Sequence, residues 1–254
     1  MTVAIMSDIH ANYEALQVVL ADIEQRGIDT IYCLGDVIGY GPNPRECIEL
    51  CRKVRFSLLG NHEEAVLFHA EDFNAKARRA VDWTRDQLNS DEHDKESNYA
   101  LWDFLGEMKR KKTKGRYFFV HGSPRQPTRE YVLPKDADDT GKMNDIFDGF
   151  EDVCFVGHTH IPGVFSRKGD QYDFRYAIQL DNEYPLPTDG DKVLINVGSA
   201  GQPRDNDNRA CYVTIEEDVV RFHRLEYDYK TTMKKIQAVE DLADYLAQRL
   251  EEGR

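Results

Sequence analysis

A chain of 254 residues, 41% hydrophobic and 31% charged, has the content for one sizeable domain with a soluble surface. Its formal net charge of -13 sets up a field that repels polyanions, which argues against long DNA or RNA as a partner. No apolar run approaches the roughly 20 residues that a membrane span needs, and the first strand begins too early to leave room for a signal peptide, so a cytoplasmic protein is expected.

In chain order, residues 3–6 read as a strand, after which Asn12 caps a helix striped with Ala15, Leu16, Val19, Leu20 and Ile23 and closed by Gly27. A second strand over 30–34 ends at Gly35 and Asp36. A loop rich in turn-formers follows, and a helix over 45–53 leads to a third strand at 56–59. This alternation implies parallel pairing with right-handed crossovers. Residues 63–112 are helical in propensity and period, notably at 75–83 and 99–105. They read as a cap beside the site within a single domain spanning 1–254. The basic run from Lys109 to Lys112 reads as solvated cations at a helix C-terminus, where the dipole favours them. Strands at 117–120 and 153–156 flank a proline-bearing loop over 123–140, expected at the mouth of the site. Beyond residue 160 the pattern turns antiparallel, with strands at 164–166, 175–178, 192–197, 211–215 and 219–224. Residues 216–218 make a hairpin turn, and a helix over 231–251 closes the chain. Five cysteines at irregular spacing do not suggest a disulfide framework; Cys47 and Cys51, four apart, read as two thiols on one packed helix face.

Five of these strands stop at polar clusters: Asp8-Ile9-His10, Gly35-Asp36, Gly60-Asn61-His62-Glu63, His121-Gly122 and Gly157-His158-Thr159-His160. Ligands of open α/β sheets bind beyond the carboxyl ends of the strands, so the five clusters point at one place. Carboxylate, imidazole and amide oxygen are the donors that hard and borderline divalent cations take. Two ions about 3.5–4 Å apart also need a group that bridges them, usually a carboxylate. Taken singly, Asp36 is equally a helix cap and His121 equally a core imidazole; seven ligand-type residues converging at strand ends are better read as a two-metal site. Glu63 reads as a support for the turn, and His69, His93 and His223 as surface or packing residues.

The ordered blocks D-x-H, G-D, G-N-H-E, H and G-H-x-H, spanning residues 8 to 160, resemble the calcineurin-like metallophosphoesterase superfamily. That resemblance implies an α/β fold with two mixed β-sheets packed face to face and helices outside. It implies that Asp8, His10 and His160 bind one divalent ion, that Asp36 bridges, and that Asn61, His121 and His158 complete a second site. His62 would face the phosphate as the catalytic residue. The implied reaction is attack of a metal-bound hydroxide on phosphorus, with manganese the first choice of metal and iron, zinc or cobalt as alternatives.

Tyr40, Arg125 and Arg204 are candidate substrate contacts, since an arginine near two metals can hold a phosphate oxygen. The competing reading of Arg204 is an ion pair with Asp205 or Asp207. The chain departs from the Ser/Thr protein phosphatase pattern G-D-x-V-D-R-G at Gly39 and Tyr40, and is more similar to the small prokaryotic phosphoesterases. A small phosphorylated substrate, nucleotide-like or a dinucleoside polyphosphate, is therefore expected, with Tyr40 as the candidate base-stacking ring. A phosphoprotein phosphatase and a catalytically silent scaffold are the alternatives.

Overall fold

Side chains alternate along the strands, and this alternation builds two cores from each sheet. In the computed structural model, which describes residues 2–70, 73–188 and 190–254, the first sheet runs β3 (Phe56–Ser57), β2 (Ile31–Cys33), β1 (Val3–Met6), β11 (Ala210–Glu216), β12 (Val219–Leu225), β9 (Glu183–Pro185). The second runs β4 (Lys111–Lys114), β5 (Tyr117–Val120), β6 (Val153–Val156), β10 (Val193–Asn196), β7 (Gly163–Lys168), β8 (Gln171–Tyr176). Both are mixed. β1, β2 and β3 pair in parallel while β1 meets β11 antiparallel, and β5, β6 and β10 are parallel while β7 joins β10 antiparallel.

Ile5, Tyr32, Val213 and Ile215 of the first sheet share a cluster with Phe119, Val153, Phe155 and Ile195 of the second, so the sheets bury one face against each other. Their neighbours one residue along point outward. Ala4, Met6 and Cys33 pack under α1 (Tyr13–Gln25) and α2 (Pro44–Cys51). Val120, Cys154 and Val156 pack under α6 (Thr140–Asp148). Asn12 caps α1 by accepting from the Ala15 N–H, and Gly27 follows the helix at φ 68°. All five cysteines are buried free thiols.

Between β3 and β4 run α3 (Asn61–Leu67), α4 (Ala75–Leu88) and α5 (Lys95–Glu107), with Val81, Leu88, Leu101 and Leu105 buried in the α1–α2 core. Three expectations give way here. The lysines at 111–114 form an exposed edge strand, paired from Lys111–Val120 to Lys114–Tyr117, because β5 offers an unpaired edge to the chain returning from α5. The strand expected at 175–178 stops at Tyr176, and a 3₁₀ turn takes Ala177–Leu180. The closing helix is two, α7 (Tyr229–Gln237) and α8 (Asp244–Glu252), since the bend between them lets Ile236, Leu242, Leu246 and Leu250 all reach Ala80 and Trp83 of α4.

Candidate metal centre

The loops after β1, β2 and β6 carry their polar side chains in left-handed backbone: φ is 55° at Asp8, 49° at His10, 52° at Asp36, 65° at His158 and 62° at His160. In an extended D-x-H segment both side chains fall on one side of a strand but diverge along it; two left-handed residues curl the loop so that both aim at the same point. Gly157 permits a close approach of β6 to β1, since a β-carbon there would lie 2.2 Å from Ser7 Oγ and 2.4 Å from Asp8 Oδ2.

Each aspartate divides its oxygens between scaffold and site. Asp8 Oδ2 accepts from the His158 N–H at 2.9 Å, and Asp36 Oδ1 from the His62 N–H at 2.9 Å. The other oxygens face the centre. Asp8 Oδ1 lies 3.2 Å from His160 Nε2 and 3.9 Å from His10 Nε2; Asp36 Oδ2 lies 3.3 Å from His121 Nε2 and 3.7 Å from His10 Nε2. His10 Nε2 and His160 Nε2 approach to 3.1 Å, as do His121 Nε2 and Asn61 Oδ1, while His158 Nδ1 is 3.0 Å from His121 Nε2. The outer nitrogens of two rings donate to carbonyls: His160 Nδ1 to Gln202 O at 2.5 Å and His158 Nε2 to Arg129 O at 3.1 Å. Those bonds leave Nε2 of His160 and Nδ1 of His158 as lone pairs turned inward, the outer arrangement that orients metal-bound imidazoles.

Asp8–His10–His160 and Asp36–His121–His158 each gather their donor atoms within 4.8 Å of one another. Asp8 Oδ1 is buried with no hydrogen-bond partner among the described residues, an orphan that a cation would satisfy. Electrostatics favour the same state. Burial opposes charge on Asp8 and Asp36, yet the adjacent imidazoles hold both well below the usual carboxylate range. Burial drives His10 far down, His158 to about 3 and His62 to about 4. Against burial, Asp36 and Asp8 raise His121 to about 9, so one imidazolium offsets the two carboxylates in the free cluster. Ionised carboxylates with neutral imidazoles are the ligand states that divalent metals require; Asp8, Asp36, His10, His158 and His160 are held in them, and His121 would give up its proton when a metal binds.

His62 stands beside this cluster, 2% exposed, ringed edge-on by His10, Tyr40 and Phe73 at 4.8, 4.3 and 4.9 Å. Glu63 supports the turn: its carboxylate accepts from the N–H groups of Asp36, Ile38 and Gly60, while burial and Asp36 push it up to about 7. Tyr40 packs its ring on His10 at 4.8 Å as well as on His62. Arg204 is not paired with either neighbouring aspartate, since Asp205 binds Arg224 and Asp207 binds Arg209. It donates to Gln202 Oε1 at 2.8 Å, and its Nε is buried with no partner among the described residues. Arg125 is placed elsewhere. Its guanidinium grips Glu130 at 2.6 Å and Asp145 at 2.9 Å, and it is absent from the walls of the cavity that opens over Asn61 and His158. Those walls include His69, Phe73, Arg129 and Tyr131, which the sequence pattern does not single out. Arg129 is held by Glu64, whose buried carboxylate also binds Arg110.

Residues 1–176 match the family model described as calcineurin-like phosphoesterase. The chain is 39% identical over 259 residues to the uncharacterized protein MJ0912 of Methanocaldococcus jannaschii, covering 99% of this chain and 98% of that one. Among solved structures, a metallophosphoesterase from Sphaerobacter thermophilus superposes with a TM-score of 0.80 at 34% identity, covering both chains fully. A hypothetical protein of Pyrococcus horikoshii shares the fold at TM-score 0.76 and 19% identity, over 100% of this chain and 98% of that one. With the matched segment containing all five clusters, the chain belongs to the calcineurin-like phosphoesterases and is a metal-dependent phosphoester hydrolase.

Proposed function

We propose a two-metal phosphoesterase acting on a small, nucleotide-like phosphoester. The carrying observation is the position of Asp36 Oδ2, 3.7 Å from His10 Nε2 of one donor set and 3.3 Å from His121 Nε2 of the other. One carboxylate oxygen shared between two sets is what a bridging ligand requires. In this reading Asp8, His10 and His160 hold one ion with Asp36, and Asn61, His121 and His158 hold the second. Mixed nitrogen and oxygen donors suit manganese first, then iron, zinc or cobalt. When bound, such ions supply Lewis-acid stabilisation of the phosphoryl oxygens and make water a stronger nucleophile at neutral pH.

The chain's own groups do the rest. Burial leaves His62 neutral in the free site, and the negative charge of a bound phosphoester favours its protonated form. We assign it to donate a proton to the phosphoryl or leaving oxygen. Arg204, without a carboxylate partner among the described residues, is assigned to hold a phosphate oxygen. Tyr40 serves as the wall that orients His62 and His10. Arg125, saturated by Glu130 and Asp145, is assigned to fixing the loop after β5.

The test is a manganese-supplemented assay of the protein and a His62→Ala variant, with metal content measured in both. The substrates are bis-p-nitrophenyl phosphate, p-nitrophenyl phosphate, a phosphopeptide and diadenosine tetraphosphate. We expect turnover of the diester or the dinucleotide, falling about 10²–10⁴-fold in the variant at unchanged metal content. Preference for the phosphopeptide would replace this reading by a phosphoprotein phosphatase. A fully loaded protein inert on every compound would leave only a binding module.

A further inference from the structure

The cavity over Asn61 and His158 has a volume of about 310 Å³, at the small end of ligand pockets but ample for a base and its sugar. Tyr131 forms one wall. Its ring stacks on His158 with centroids 3.8 Å apart and planes 24° apart, yet the residue is 44% exposed. With one face on the imidazole, the other is open to the cavity it lines. Tyr40 lines the same cavity, but its ring is engaged by both His10 and His62. Phe73 and Asn74 line the same cavity. Asn74 caps α4, its Oδ1 accepting from the N–H groups of Lys76 and Ala77 at 3.1 and 3.0 Å, so the amide NH₂ is what it offers to the cavity. Arg129, fixed by Glu64, adds a cationic edge.

An exposed aromatic face beside fixed hydrogen-bond donors matches a planar heterocycle with acceptor edges. We propose that this cavity is the nucleoside subsite of the phosphoester substrate, with Tyr131 as the stacking residue that sets specificity. The inference rests on the phosphoesterase reading. A phosphorus atom at the metal centre then sits one imidazole away from Tyr131, and its organic substituent enters the cavity. The subsite also moves base stacking from Tyr40 to a loop residue that faces outward.

Calorimetry on the manganese-loaded full chain tests this with three phosphonates that the enzyme cannot hydrolyse: the 5′-methylenephosphonate analogue of adenosine monophosphate, phenylphosphonate and methylphosphonate. The adenosine analogue is expected to bind about tenfold tighter than methylphosphonate, the order of one base–aromatic stack. Tyr131→Phe keeps that advantage. Tyr131→Ala and Tyr131→Leu lose it, the advantage being read as the ratio to methylphosphonate in the same variant, with bound manganese and melting temperature as the check on folding and metal loading. Equal affinities in the unaltered protein overturn the proposal, as does an advantage that survives in both Ala and Leu variants. A gain for phenylphosphonate alone overturns the nucleoside assignment. Turnover of bis-p-nitrophenyl phosphate without an adenosine advantage removes the subsite and leaves the enzyme; an adenosine advantage without any turnover supports the subsite and removes the enzymatic reading.

Discussion

Holding five site side chains in left-handed backbone costs on the order of 1–3 kcal/mol each, softened where the residue is Asp or His. The packed loops supply the restraint, and Gly39 shows how tight they are. It sits at φ 90°, and a β-carbon there would fall 2.1 Å from His62 Nδ1. A Gly39→Ala variant must therefore push the imidazole out of its ring of Tyr40, His10 and Phe73, with no metal donor touched. We expect turnover to fall at least tenfold while metal content stays at the level of the unaltered protein. In a His62→Ala background the same substitution should cost less, because the group it displaces is gone and only the strain of a β-carbon at φ 90° is left. A variant with full turnover would show that His62 need not occupy its present position. Much of this was legible at the level of residue types, since D-x-H and G-H-x-H at strand ends announce donors. Which oxygen of Asp8 faces inward was not, because that follows from a His158 N–H 150 positions away. Tyr131 was also hidden: a loop residue ten positions past His121 carries neither periodicity nor a capping pattern.

At the scale of elements, period and the Asn12 cap placed α1, period alone found the bodies of α4 and α5, and the hairpin at Glu216 is closed by Glu217 and Asp218 at φ 50° and 57°. The failures are cases where tertiary context overrides local pattern. The bend between α7 and α8 has no side-chain cap at Ala243 to announce it. Lys111 to Lys114 lack the apolar alternation of a strand because every side chain of β4 is exposed. The same lysines have a physical use there. An edge strand presents unpaired N–H and C=O groups to other chains, and charge along it discourages edge-to-edge pairing. Replacing Lys111 and Lys112 together by valine removes that charge and raises β-propensity. Conformational stability should change by no more than about 0.5 kcal/mol, as for exposed sites without partners. Light scattering at equal concentration should rise with time and with salt. A double variant that stays as monodisperse as its parent would remove the protective role of β4.

The whole molecule joins its two ends in one sheet: β1 pairs β11 from Val3–Ile215 to Ile5–Val213, and nothing in either segment's pattern names the other as partner. Composition and strand order implied a layered α/β protein, whereas the closure of β1 on β11 is a property of the folded chain alone. Global unfolding should report that closure through His223 on β12. Its ring stacks on Tyr212 of β11 at 4.7 Å, and its Nε2 lies 2.8 Å from Thr214 Oγ1. Burial lowers its pKa to about 4, with Arg26 and Arg221 adding to the effect and Asp22 opposing it. The unfolded chain, with an ordinary histidine, then binds the extra proton between pH 6.5 and about 4. The stability this site contributes is fully present above pH 6.5 and is lost as pH falls through that window. Each pKa unit corresponds to about 1.4 kcal/mol before solvent screening, and a half-buried ring is screened, so we expect about 1 kcal/mol between pH 7 and pH 5. A His223→Gln variant keeps a polar partner for Thr214 but cannot titrate. Denaturant unfolding of both proteins, metal-free and at the two pH values, isolates the site, since the buried cluster of aspartates and histidines is common to both and cancels. The variant should lose about 1 kcal/mol less than its parent on acidification. Equal losses would mean that His223 protonates in place, and that Tyr212 and Thr214 hold the charged ring as readily as the neutral one.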